Sequence, residues 1–321
     1  MVQLVPRDLW KAKKRISSLA SYTPLLYSEP LSRQLESHIY LKLENDQPTG
    51  AFKLRGAANK ILSLSDKEKK QGIATFSTGN HGIAVAYVGQ QMGIKATVCI
   101  SNRVPQEKVN RLKRLGAEVK IVGSSQDDAE EYCYQLEKEQ GINIIKPFDD
   151  LEIIAGQGTI GLELMEQCPD LEQVIVPLSG GGLLSGVGFA LKNIDPSIQV
   201  TGVSMEQSAV MYESLKQGSP IVMQEAETLA DSLLGGLGRS NQYTFTMTRE
   251  YMDEGVLVPE TSIARGMLTL MDLHKMVVEG AAAAGIGWLL EQKSLRNQHI
   301  AVIVSGNNVD HQTIEQVIKT S

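Results

Sequence analysis

Between residues 72 and 146 short apolar runs alternate with amphipathic stretches in a regular order. The pattern predicts strands at 72–78, 95–100, 117–122 and 142–146, separated by helices at 80–92, 106–115 and 126–140. Wholly apolar strands joined by helices are what a parallel sheet covered on both faces requires, because parallel strands need long crossovers. The fold class read from this is α/β. Upstream, a helix is expected over 6–19, a short one over 31–35, an alternating strand over 38–44 and a helix over 51–64. Downstream the alternation restarts with helices at 152–166, 182–192 and 209–216 and strands at 174–177 and 200–204. Helices at 262–274 and 281–292, a strand at 299–304 and a helix from His311 complete the pattern. This suggests a small α/β domain over 69–145 and a larger one built from 1–68 and 146–321, with the N-terminal segment returning to the second.

In such sheets ligands gather at the carboxyl ends of strands, so the turns that follow strands are where chemistry is sought. The first is TGAFKLRGA, residues 49–57, which sets Lys53 beside Phe52 at a helix start just after Gly50. A lysine held there away from water loses basicity and becomes a nucleophile toward carbonyls; the plainer alternative is a solvated surface lysine. The second is STGNHG, residues 77–82, a helix-start turn whose free N–H groups suit a carboxylate or simply cap the helix. The third is SGGGLLSG, residues 179–186, where three glycines between strand and helix suit a phosphate. It matches neither the P-loop pattern nor a dinucleotide fingerprint. The last is SGNN, residues 305–308, whose Ser305 could bond a ring nitrogen or cap a helix. A nucleophilic lysine, a phosphate cradle, a carboxylate cradle and a ring-nitrogen partner are together what pyridoxal 5'-phosphate and an amino-acid substrate need.

Composition narrows the alternatives. The 321 residues are 42% hydrophobic with a net charge of -6 and no basic block, so neither nucleic acid nor an anionic membrane is expected as a partner. Cys99, Cys133 and Cys168 are widely spaced, giving no disulfide framework and no zinc pattern. With no leader-like N-terminus and no run of 18 apolar residues, the expected location is cytoplasmic. His274, His299 and His311 and the charged stretches 66–70 and 127–131 read as surface features.

These four motifs, together with IAGQGTIGLEL at 154–164, occur in an order and spacing that resembles the fold-type-II pyridoxal-phosphate enzymes of the threonine/serine dehydratase and serine racemase family. The resemblance covers nearly the whole chain and implies two doubly wound α/β domains. It implies that Lys53 would hold the cofactor as an imine, Phe52 would pack on its ring and Asn80 would bond its 3'-oxygen. Ser179, Gly180, Gly181, Gly182 and Leu183 would cradle the phosphate, and Ser305 would face the pyridine nitrogen. Ser77, Thr78, Asn80 and His81 would form the substrate loop. The implied reaction is β-elimination from a β-hydroxy L-amino acid, with Lys53 removing the Cα proton, to give a 2-oxo acid and ammonia. A homodimer or homotetramer is implied as well.

Departures from the family pattern bear on the details. Thr78 stands where the racemases place a second catalytic serine; it keeps the hydroxyl on a stiffer side chain. Ser204 and Val210 stand where the racemase metal ligands would be, so no metal is expected, although Glu279 matches an acid near that region. Ser232 replaces a more usual glycine, which suggests a subgroup such as the hydroxyectoine-utilization dehydratases. The chain ends soon after SGNN, so a regulatory domain with isoleucine feedback is not expected. Readings left standing are a hydroxyaspartate or hydroxyectoine-derived substrate, a racemase or β-replacement activity, and a non-catalytic module that binds a phosphorylated ligand.

Overall fold

The computed structural model describes residues 3–319 except 239, 293, 294 and 296. In chain order the elements begin with α1 (Pro6–Ile16), β1 (Leu25–Tyr27), α2 (Glu29–Leu35) and β2 (His38–Leu43). There follow α3 (Lys53–Ser63), α4 (Asp66–Gln71), β3 (Ile73–Thr75), α5 (Asn80–Met92), β4 (Ala96–Ile100) and α6 (Gln106–Arg114). Next come β5 (Glu118–Ile121), α7 (Gln126–Gln140), β6 (Asn143–Ile144), α8 (Leu151–Gln167), β7 (Gln173–Pro177) and α9 (Gly182–Ile194). The chain closes with β8 (Gln199–Met205), α10 (Val210–Gln217), α11 (Thr244–Tyr251), β9 (Glu254–Val258), α12 (Glu260–His274), α13 (Gly280–Leu289), β10 (His299–Val304) and α14 (His311–Lys319).

The strands form two sheets. One has the order β5-β4-β3-β6 and is parallel throughout. The other has the order β1-β2-β10-β7-β8-β9, parallel except that the short edge strand β1 runs antiparallel to β2. In the larger sheet β7 and β10 are buried along almost their whole length, as strands covered on both faces must be. β2, β10 and β7 are neighbours in register. Leu43 lies opposite Val304, and Val302 lies opposite Ile175, two residues before the end of β7. Three adjacent parallel strands therefore end side by side, and the turns after them carry Lys53, Ser305 and the glycines at 180–182.

The expected alternation is present, with several boundaries shifted and four elements added. α3 starts at Lys53 rather than residue 51, because Ala51 is drawn into a bridge with Gly306. β3 stops at Thr75, three residues short of the expected end, which leaves Ser77 and Thr78 in the turn. The sequence reading did not foresee the edge strands β1 and β9 or the helices α4 and α11. LLY is too short to show alternation, and EGVLV opens on an acid and a glycine. TFTMTREY is rich in β-branched threonine, and its N-cap residue Tyr243 supplies no side-chain cap.

Two features lock α3, the helix that begins with Lys53, onto α8. At Gly156 a Cβ would come within 2.6 Å of both the Arg55 carbonyl oxygen and the Gly56 Cα, so the two backbones touch and only glycine fits. This assigns a packing role to the IAGQGTIGLEL motif. The side chain of the same Arg55 is buried between two carboxylates. Its Nε and Nη2 donate to Glu44 at 2.7 and 2.8 Å, and its Nη1 and Nη2 donate to Glu163 at 2.6 and 2.9 Å. Lys42 Nζ donates to Glu163 at 2.7 Å, to the Thr23 carbonyl at 2.8 Å and to Gln167 at 2.9 Å. Two cations and two anions balance, each with short hydrogen bonds, which is the condition under which buried charge is tolerated.

Candidate active site

The turn before α3 is stitched to the end of β10. Phe52 N–H donates to the Ser305 carbonyl at 3.0 Å, and Asn307 N–H donates to the Gly50 carbonyl at 2.9 Å. Gly50 has φ of 76°, and a Cβ there would meet Asn307 Oδ1 at 2.4 Å, so the left-handed turn and the close approach both require glycine. Ser305 itself is buried.

Lys53 opens α3 with its amine 5.3 Å from the centroid of the Phe52 ring, and Nζ donates to the Pro147 carbonyl at 2.8 Å. Burial lowers its pKa to about 8, against a smaller opposing pull from the Glu279 carboxylate. No carboxylate within ion-pairing distance of it is found among the described residues.

Glu279 caps the start of α13 at 3% exposure. Burial pushes its pKa up to about 7, while the hydrogen bond from Asn80 pulls the other way. Asn80 Nδ2 donates to both Glu279 oxygens at 3.0 Å, and Asn80 Oδ1 accepts from the Asn308 side chain. Asn308 in turn donates to the Thr49 carbonyl at 3.1 Å. The STGNHG turn, the SGNN turn and the TGAFK turn are thus tied together by amide side chains. Ser77 and Thr78 are half-buried in the turn after β3, and Asn80 and His81 begin α5.

The His81 side chain reaches the segment after β6. Its Nε2 lies 2.8 Å from the Ile145 carbonyl, so that nitrogen must be the N–H donor. Burial and the nearby Lys53 lower its pKa to about 3, so the ring is neutral. Its buried Nδ1 has no hydrogen-bond partner among the described residues. A neutral ring with a bare lone pair there cannot donate to a carboxylate, so of His81 only the backbone N–H remains as a candidate carboxylate donor. The N–H groups of Asn80, His81 and Gly82 find no acceptor among the described residues.

The glycine turn follows β7. Gly181 has φ of 84° and precedes α9. The Phe148 ring fills the space beside Gly180, where a Cβ would meet it at 2.5 Å, and Phe148 Cβ and backbone fill the space beside Gly182, where a Cβ would meet Phe148 Cβ at 2.9 Å. The backbone N–H groups of Gly180, Gly181, Gly182 and Leu183 find no acceptor among the described residues. Ser179 stands half-buried at the entry to the turn.

Ser204 is buried on β8 and Val210 begins α10. Among the described residues no three His, Cys, Asp or Glu side chains converge as a metal site. Ser232 is exposed, and its hydroxyl donates to Asp231 Oδ1 at 3.4 Å. Sequence reasoning missed Pro147, Phe148 and Asn308. The first two lie in a turn that follows a parallel strand, which is the signal that could have drawn attention to them.

A profile described as pyridoxal-phosphate dependent enzyme matches residues 16–306. The chain belongs to this family of enzymes. A Sinorhizobium fredii member is 44% identical over 309 residues, spanning 96% of this chain and 93% of its own. An L-threonine ammonia-lyase of Thermotoga maritima is 39% identical over 311 residues, spanning 97% of this chain and 77% of its own. The structure of maize serine racemase superposes with a TM-score of 0.91 at 33% identity, covering 98% of this chain and 96% of the other. The family's cofactor is pyridoxal 5'-phosphate, and the residues present fit it. Four backbone donors without a protein acceptor at a helix start suit the phosphate, and a lysine of lowered basicity suits the aldehyde.

Proposed function

We propose that this protein is a dehydratase of the ammonia-lyase kind, which converts L-threonine or L-serine to a 2-oxo acid and ammonia by β-elimination. The observation that supports it most is Lys53, a lysine with a pKa of about 8 set between three strand ends. At that pKa about one-tenth of the amine is neutral at pH 7, so it can both bond an aldehyde and accept a proton. The L-threonine ammonia-lyase of T. maritima, similar over nearly the whole chain, points the same way.

Under this reading Lys53 and Phe52 would hold and pack the cofactor ring. Asn80 and Ser305 would bond its oxygen and ring nitrogen, and Ser179 with Gly180, Gly181, Gly182 and Leu183 would hold its phosphate. Bound there, pyridoxal phosphate supplies the electron sink that allows the substrate Cα–H bond to break. Lys53 takes that proton. The first-turn N–H groups of α5, with the Ser77 and Thr78 hydroxyls, hold the substrate carboxylate at the positive end of the helix dipole. The β-hydroxyl departs as water, its loss balanced by the proton taken from Cα, and hydrolysis of the resulting enamine, after tautomerisation, gives the 2-oxo acid and ammonia.

The two sheets are read as two domains, 69–145 and the remainder, with the site between them. The three buried free cysteines are in keeping with a reducing cytoplasm. The chain is read as a homodimer or homotetramer that takes a small amino acid. Among the described residues no helix is long and apolar enough to cross a membrane.

The test is oxo-acid and ammonia release from L-threonine and L-serine, with chiral analysis of the remaining substrate. Oxo acid with unracemised substrate, lost in Lys53→Ala, is expected. Racemised substrate with little oxo acid would overturn the reading and make Thr78 a proton-transfer residue.

A further inference from the structure

The turn Pro147-Phe148-Asp149-Asp150 leads from β6 into α8, and its third residue has no part in the reading above. Asp149 is a carboxylate at 6% exposure with no cationic partner within ion-pair distance among the described residues. Its charge is met by backbone alone. Oδ2 accepts from Gln242 N–H at 2.8 Å, and Oδ1 accepts from Tyr243 and Thr244 N–H at 2.9 and 3.0 Å. Thr244 is the first residue of α11, whose N–H the helix leaves without an internal acceptor, and Gln242 and Tyr243 are the two residues that lead into it.

α11 backs the glycine turn. Thr248 Oγ1 and the Thr244 Cβ stand 2.6 and 3.2 Å from where a Gly181 Cβ would lie, and Ser185 of α9 bonds Thr248 Oγ1 at 3.3 Å. One residue before Asp149, Phe148 is wedged against the glycine turn, its ring beside Gly180 and its Cβ and backbone beside Gly182. Two residues before it, the Pro147 carbonyl accepts the Lys53 amine. A single four-residue turn therefore touches the lysine, one side of the glycine turn and, through Asp149 and α11, its other side.

We propose that Asp149 is a positioning residue that fixes the spacing between the Lys53 amine and the glycine turn. The proposal rests on the reading of these two as the aldehyde and phosphate ends of one cofactor site. A ligand that engages both ends at once feels the spacing, whereas a ligand that engages one end does not. That separates positioning from simple support of α11.

The experiment uses cofactor-free full-length protein and three probes: pyridoxal 5'-phosphate, pyridoxal without phosphate, and inorganic phosphate. Imine absorbance reports the first two, and calorimetry reports the third. In Asp149→Asn, which keeps the shape but turns an amide N–H toward a backbone donor, affinity for pyridoxal 5'-phosphate should fall about tenfold or more. Affinities for pyridoxal and for inorganic phosphate should each change less than about twofold, no more than side-chain substitutions that leave a contact intact. Asp149→Glu keeps the charge and lengthens the arm, and should show the same selective loss. Equal loss of inorganic phosphate and pyridoxal 5'-phosphate would mean that Asp149 only supports the glycine turn, and would overturn the proposal. So would unchanged affinity for all three. Lys53→Ala serves as the control on the underlying reading. Imine absorbance that persists in Lys53→Ala would refute that reading whatever Asp149 does.

Discussion

Two buried charge clusters start two residues apart on the same helix, and they are finished differently. Around Arg55 every charge is matched: two carboxylates, a guanidinium and an ammonium close on one another with bonds of 2.6 to 2.9 Å. The Arg55 guanidinium stays firmly charged between Glu44 and Glu163; burial would raise the Glu44 carboxyl, but Arg55, with help from Lys42, holds it below the usual range. Around Lys53 nothing is matched. The amine finds a carbonyl instead of a carboxylate, and the carboxyl of Glu279 finds an amide instead of a cation. Burial consequently shifts both toward their neutral forms, to about 8 and about 7. Completed pairing makes an inert brace, and incomplete pairing leaves groups that exchange protons near neutral pH.

Exchanging the two fates by mutation is the strongest way to break that contrast. Arg55→Met strands two buried carboxylates on Lys42 alone and should cost about 3–5 kcal/mol in urea unfolding. Lys53→Ala should leave the stability of the cofactor-free protein within about 1 kcal/mol, since it removes an unpaired buried amine. The same change should lower oxo-acid release at least about a thousandfold. A comparable stability loss in both variants would erase the distinction.

Glu279→Gln sharpens it through pH. The unfolded chain ionises this carboxyl near its ordinary 4.5 and the folded one near 7, so the folded protein binds the extra proton between those values. The contribution of Glu279 to stability should therefore fall as pH rises from about 4.5 to about 7 and level off above, by up to about 3 kcal/mol. His81, neutral when folded, contributes the opposite slope below about 6.5, so the measurement is a difference: the unfolding free energy of the cofactor-free protein minus that of Glu279→Gln should fall between pH 5 and pH 8.

Gly156→Ala lies between the clusters. Its methyl would press on the backbone of Arg55 and Gly56, costing about 1–3 kcal/mol and moving both clusters together. Loss of stability with full pyridoxal-phosphate affinity would show that Lys53 is insulated from the brace. The smallest effect is expected from Asp150→Ala. Asp150 Oδ1 caps α8 by accepting from Glu152 and Ile153 N–H at 2.8 and 3.3 Å, worth about 1 kcal/mol in thermal melting.

Much of the site was legible because each piece is local. Lys53, the turn at 77–82, the glycines and Ser305 each sit in a turn whose residue types declare a chemistry without reference to the rest of the chain. The brace was not legible, since Arg55 and Glu163 lie 108 residues apart and nothing in either neighbourhood names the other. The tautomer of His81 was hidden for the same reason, because it is set by the carbonyl of Ile145, 64 residues away. Parallel strands such as β7 and β10 announced themselves by unbroken apolar runs, whereas the edge strands β1 and β9 keep polar or exposed positions and did not.

The register of β2 against β10 also sets an order of events during synthesis. All four strands of the smaller sheet lie between Ile73 and Ile144 and can pair as soon as that stretch has left the ribosome. β2 emerges before them, yet its parallel partner begins at His299. Its hydrophobic edge must wait until β10 has been made, with only the three-residue β1 alongside it. The nascent chain therefore spends that interval with a stable middle and an open flank, the condition under which strands find wrong partners. The turn that carries Lys53 gains its hydrogen bond from Phe52 N–H to the Ser305 carbonyl only after the chain has been made past residue 305.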